Sequence, residues 1–175
     1  RQEILDRLRA RIRRTGNAPT PFDVDRVVAS CLDFLEQRIQ REGVRVERHP
    51  GVALPQLLGD PIELEHALIQ LVSNALEAME EGERGRRRLT LATGHDPGAG
   101  LVTVEIADTG PGVSNALSDR LFQPWETDKP GALGIGLSIV QTIIESFGGR
   151  IRMESGVTEG ALFRIELPLV KGGRG

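Results

Sequence analysis

Apolar residues return at helical spacing in four stretches of this chain, and the elements they predict lie between clear turn signals. Val27, Val28, Cys31, Leu35 and Ile39 share one face of a helix starting near Asp23 and running to Gly43. Leu64, Leu68, Leu71, Val72, Ala75 and Met79 form the buried face of a second. Asp60 caps that helix, Pro61 suits its first position, and Glu63 completes a capping-box spacing. A third runs from Ile135 to Phe147, with Val140, Ile143, Ile144 and Phe147 inward and Gly148-Gly149 as its stop. Near the start, Ile4, Leu5, Leu8 and Ile12 mark a short amphipathic helix ended by Thr15-Gly16-Asn17-Ala18-Pro19. Residues 44–47, 89–93, 101–107, 150–154 and 161–167 read as strands. Helices alternating with locally paired strands predict an α/β (α+β) two-layer sandwich, a mixed sheet covered on one face by helices.

Between residues 108 and 134 no periodicity holds, and a stretch of that length suits a lid or binding loop. Composition agrees with a specialised loop. Glycine supplies 21 of 175 residues, whereas Phe and Trp together number six and Tyr is absent. Glycines 110, 112, 131, 134 and 136 flank the loop, while Phe122 and Trp125 lie inside it. The first 14 residues carry six Arg against Glu3 and Asp6, which reads as a solvated helical face. With a net charge of −3, no global basic field points to nucleic acid. A single cysteine excludes an intramolecular disulfide framework, and Cys31 falls on an apolar face, as a core thiol would. No apolar run approaches the roughly 18 residues of a membrane span. His49 has no second ligand at metal spacing and reads as a surface histidine, and His66 reads as a surface or structural one.

Four segments place polar residues or glycines where packing does not ask for them. Asn74 sits at the edge of its helix's apolar stripe beside Ala67 and Ala78, where a neutral oxygen suits a hard cation such as Mg²⁺. Asp108-Thr109-Gly110-Pro111-Gly112 ends an apolar strand with a carboxylate that can accept from an amino group and glycines that admit a flat ligand. The segment from Leu121 to Lys129 is amphipathic, and Lys129 offers a flexible ammonium to a phosphate. Gly131 to Leu137 runs into a helix whose first amides can receive phosphate oxygens. Neither a Walker motif nor a dinucleotide fingerprint is present. Together the four segments ask for an adenine-like base, a metal and a polyphosphate.

Over about residues 20 to 170, the chain resembles the catalytic, ATP-binding domain of bacterial two-component sensor histidine kinases. Residues 68–75 (Leu-Ile-Gln-Leu-Val-Ser-Asn-Ala) resemble the N box, Asp108-x-Gly110-x-Gly112 the first G box, Phe122 to Lys129 the F box, and Gly134-x-Gly136-Leu137 the second G box. The resemblance implies a Bergerat-type sandwich, a five-stranded mixed sheet with about three helices and a lid over residues 109–134. It implies ATP and Mg²⁺ as ligands. Asp108 would bind the adenine amino group, and Asn74 would ligate the metal. Gly110, Gly112 and Phe122 would shape the nucleotide pocket, Lys129 would reach the terminal phosphates, and Gly134, Gly136 and Leu137 would cradle them. Asn74 and Lys129 would carry the catalytic charge neutralisation.

The expected acceptor is a histidine on a dimerisation domain of the same homodimeric kinase, with a response regulator downstream. Neither nucleic acid nor membrane is an expected contact, and the expected location is cytoplasmic. Residues 1–17 correspond to the end of a preceding dimerisation helix plus linker, 18–171 to the catalytic domain and 172–175 to a disordered tail. A first residue Arg1 rather than Met fits a piece of a longer protein.

Three departures bear on activity. No histidine stands in an H-box context, so the chain is not expected to phosphorylate itself. Gln70, four residues before Asn74, stands where hydrolytic relatives and anti-sigma serine kinases resemble one another in carrying Glu, and a neutral amide cannot take a proton from attacking water. That disfavours an autonomous ATPase or serine kinase, just as the intact Asn74, Asp108 and glycines disfavour a non-catalytic docking module. Ala161 follows Gly160 where the family often has an adenine-binding Thr.

Overall fold

The computed structural model describes residues 18–111, 135–154 and 160–170. In chain order these form β1 (Thr20–Phe22), α1 (Val24–Glu42), β2 (Arg45–His49), β3 (Leu57–Gly59), α2 (Pro61–Met79), β4 (Arg88–Asp96), β5 (Leu101–Asp108), α3 (Ile135–Ser146), β6 (Arg150–Glu154) and β7 (Leu162–Pro168). The main sheet has the order β2-β4-β5-β7-β6. Its β2–β4 pair is parallel and its other pairs are antiparallel. The expected five strands and three helices are therefore all present, with ends shifted by a few residues where strand pairing extends beyond the apolar pattern. The expected terminal helix, residues 112–134 of the lid and the tail lie outside the described residues.

Helix α2 is the centre of the helical layer because its apolar stripe is unusually wide. Leu64, Ala67, Leu68, Leu71, Val72, Ala75, Leu76 and Met79 are all buried, which lets it pack against both α1 and α3. Full burial of one Leu contributes about 1.5–3 kcal/mol, so this stripe dominates the packing. Beneath it, Val102, Val104 and Ile106 of β5 point into the core, alternating with residues of the opposite sheet face. On that other face charges pair across strands, Arg164 Nη1 meeting Glu105 Oε1 at 2.6 Å. Cys31 is fully buried as expected, and desolvation, followed by the charge of Glu65, pushes its thiol up to about 12.

Local capping differs from the sequence expectation in one detail. Asp60 Oδ1 accepts from the amide of Ile62, not of Glu63. Instead Glu63 lies within hydrogen-bonding reach of Ser146 near the end of α3, and its pKa is raised, chiefly by desolvation. A small antiparallel ribbon, β1 with β3, was not expected. It closes the end of the helical layer, where Phe22 meets Phe147 edge-to-face at 6.1 Å.

The basic run Arg86 to Arg88, which from sequence alone reads as a solvated edge leading into β4, does more than that in the structure. Arg87 is half-buried, and its guanidinium donates to the carbonyls of Glu42, Glu80 and Gly82 at 2.6–3.2 Å. One side chain thus satisfies carbonyls at the ends of both α1 and α2, where helices leave acceptors unpaired. Arg87→Ala should destabilise the chain by about 1–3 kcal/mol, seen as a melting point roughly 5 °C lower. Arg87→Lys should recover little of this, since one ammonium cannot reproduce the planar fork. An alanine variant melting with the parent would show the clamp to be energetically idle.

Candidate nucleotide site

The site is built on one row of α2. Gln70, Asn74 and Ala78 are four residues apart, so they stack along a single face of the helix over about 12 Å. At the N-terminal end of the row, Gly136 in the first turn of α3 approaches so closely that an added Cβ would stand 2.6 Å from Gln70 Nε2. Gly110 closes the other end, where a Cβ would stand 3.0 Å from the Ala78 carbonyl. Asn74 lies between, half-buried, its Oδ1 accepting from Gln70 Nε2 at 3.1 Å. The structure therefore brings Asn74, Gly110 and Gly136 to one face of α2, with Leu137 next in the chain.

Asp108 ends β5 and is buried at 6% exposure, a position a carboxylate holds only with partners. Its Oδ1 accepts from the Gly110 amide at 2.8 Å, turning the chain sharply over the carboxylate. Its backbone amide donates to the Ala161 carbonyl at 3.0 Å. Gly160 beside it has φ +69°, and a Cβ there would overlap the Asp108 carbonyl, so glycine is required on both counts. Ala161 thus serves this corner through its backbone, whatever its side chain omits.

Next to this corner opens a cavity of about 410 Å³ lined by Gly82, Glu83, Arg86, Thr109, Gly110, Pro111 and Gly160. Its volume is in the range of small-molecule pockets. Gly112, Phe122, Lys129 and Gly134 lie outside the described residues. Thr109 and the segment from Glu80 to Arg88 are site neighbours that sequence reasoning missed. An exposed-looking threonine inside a D-x-G turn carried no periodic signal.

The donor set around Asn74 fits a cation that keeps much of its own hydration. Among the described residues no three His, Cys, Asp or Glu side chains gather as a metal cluster. A single amide oxygen would serve Mg²⁺ as one oxygen ligand, with substrate phosphates and the waters it sheds reluctantly completing the shell. Both His49 and His66 are exposed. Among the described residues, no helix is long and apolar enough to cross a membrane.

The family model of histidine kinase-, DNA gyrase B-, and HSP90-like ATPases matches residues 59–171. The chain is 30% identical over 167 residues to the sensor histidine kinase TmoS of Ectopseudomonas mendocina, covering 95% of this chain and 17% of that protein. It spans about a third or less of the length of such curated relatives. Among solved structures, it resembles the nucleotide-free catalytic domain of the histidine kinase ThkA with a TM-score of 0.75 at 25% identity, covering 87% of this chain and 96% of that one. It also shares its fold with full-length ShkA, solved in complex with AMPPNP, at a TM-score of 0.78 and 24% identity over 94% of this chain and 34% of that one.

Proposed function

Since this chain belongs to the family of histidine kinase-, DNA gyrase B-, and HSP90-like ATPases, we propose that it binds Mg-ATP along the α2 row and passes the γ-phosphoryl group to a histidine on a separate dimerisation domain. The row itself carries this reading. A buried carboxylate and, beside Gly110, a cavity of about 410 Å³ stand at its Ala78 end, and the glycine-opened start of α3 stands at its Gln70 end. Asn74 lies midway, where a cation bridging phosphates would sit. An AMPPNP complex of ShkA, which shares the fold, supports nucleotide as the ligand.

In this reading Asp108 accepts from the adenine amino group while Gly110 and Gly112 flank the ring. The amides of Gly136 and Leu137, which have no partner within the first turn of α3, would receive phosphate oxygens together with that of Gly134. Lys129 would reach the terminal phosphates, and Phe122 would help shape the nucleotide pocket. Bound Mg²⁺, held through Asn74 Oδ1, would neutralise phosphate charge. An imidazole nitrogen of the acceptor attacks the γ-phosphorus, the bond to the β-phosphate oxygen breaks, and ADP leaves. Catalysis by these residues is positioning and charge neutralisation.

Gln70 gives the reading its selectivity for a protein acceptor. Its amide is held against Asn74 and Gly136 and cannot act as a base toward water. A response regulator would take the phosphoryl group from the histidine, as the complex of ThkA with the regulator TrrA suggests for that relative. The parent would act as a homodimer in the cytoplasm. Incubating the chain with Mg-ATP labelled on the γ-phosphate and a histidine-bearing dimerisation domain should yield acid-labile phosphohistidine. Rapid phosphate release without any acceptor would favour a hydrolase instead.

A further inference from the structure

We propose that Thr109 is a positioning residue for the nucleotide base, locking one wall of the pocket to the strand that carries Asp108. The inference rests on the nucleotide reading above and deepens it. The wall is the segment from Glu80 to Arg88, which leaves α2, passes through a single turn of 3₁₀ helix at Arg84–Arg86, and enters β4. Gly82, Glu83 and Arg86 from this segment face the 410 Å³ cavity across from Thr109, Gly110 and Pro111.

The hydroxyl of Thr109 bridges the two sides. Oγ1 donates to the Arg86 carbonyl at 2.9 Å and accepts from the Arg88 amide at 3.0 Å. A hydroxyl has the one donor and the acceptor lone pairs that this requires. Met79 Sδ, in the last turn of α2, lies 3.6 Å from the same oxygen and closes the space behind it. Between the two residues that Thr109 grips, Arg87 clamps the segment to the ends of α1 and α2, so the segment is held by both side chains. Thr109 sits between Asp108, which would read the base, and Gly110, which turns the chain over it. Loosening the hydroxyl therefore shifts the pocket wall and the carboxylate relative to one another.

The test is a set of calorimetric titrations of the chain with ATP, ADP and adenosine, alongside thermal melts. Thr109→Val keeps the shape and removes both hydrogen bonds, and is expected to weaken all three ligands by about tenfold. Thr109→Ser keeps the hydroxyl and should retain parental affinity within about threefold. Thr109→Ala provides a second hydroxyl-free chain if valine folds poorly, with the same loss expected. Equal loss for adenosine and ATP places the effect at the base, which a general loss of stability in a still-folded chain would not do.

A folded valine or alanine variant with parental affinities overturns the proposal, as does a serine variant that fails like valine. Loss confined to ATP and ADP, with adenosine spared, also overturns it. If Asp108→Asn weakens binding while Thr109→Val does not, only this inference falls. A parent chain with no affinity for any of the three ligands overturns it together with the nucleotide reading.

Discussion

Asp108→Asn should weaken ATP binding by on the order of a hundredfold while leaving the fold intact. The carboxylate is buried at the end of β5 and already accepts from the Gly110 amide, so its geometry is fixed before any ligand arrives. Asparagine preserves its size but replaces one acceptor oxygen with a donor NH₂ group. Facing an adenine amino group, that NH₂ sets donor against donor, and buried groups left unpaired cost about 1–3 kcal/mol each. At about 1.4 kcal/mol per tenfold change, one lost bond and one mismatched contact account for the expected effect. Melting near the parental temperature would show that the loss belongs to the pocket and not to the core. Unchanged ATP affinity in the variant would mean that the base lies elsewhere.

The second large effect is expected at Asn74. Asn74→Ala should lower phosphotransfer by roughly a hundredfold or more, because charge neutralisation on the moving phosphoryl group is worth several kcal/mol. Adenosine affinity should not change, since Asn74 lies midway along the row and the base corner is at its Ala78 end. Alanine is a better helix former than Asn, so α2 should not suffer. Comparing ATP titrations with and without Mg²⁺ provides the check. The parent should gain affinity from the metal and the alanine variant should not. Equal metal gain in both would remove Asn74 from the metal's shell.

Much of this was legible in the chain because the decisive signals are local. The stripe from Leu64 to Met79 fixes the face of α2 by period alone, and the same count places Asn74 at its edge. Alternation in Leu101 to Asp108 separates buried Val102, Val104 and Ile106 from the charged face and leaves Asp108 at the buried end. The β1–β3 ribbon escaped because Thr20–Phe22 and Leu57–Gly59 are three residues each and pair across nearly forty positions. Nothing in so short a run reveals its partner.

The roles of Arg87 and Thr109 escaped for a related reason. A basic run is by default a solvated edge, and a threonine in a turn is by default a turn residue. Both acquire meaning only when the end of α1, the end of α2 and the start of β4 converge. Gly136 shows the opposite case. Its place at the start of a helix suggests phosphate approach, and the structure adds the reason it must be small, the Gln70 amide pressed against it.

The central claim is that this chain reads an adenine nucleotide through Asp108 at one end of the α2 row. Titrating ATP and GTP in parallel, with Mg²⁺ present, tests it most directly. A carboxylate that welcomes the amino group of adenine repels the carbonyl oxygen that guanine presents at the same ring position. Sites built around such a bond discriminate strongly against analogues lacking it. The account predicts saturable one-to-one binding of ATP, GTP weaker by at least about a hundredfold, and loss of that preference in Asp108→Asn. Equal affinities for ATP and GTP, or a preference that survives the asparagine variant, would contradict it.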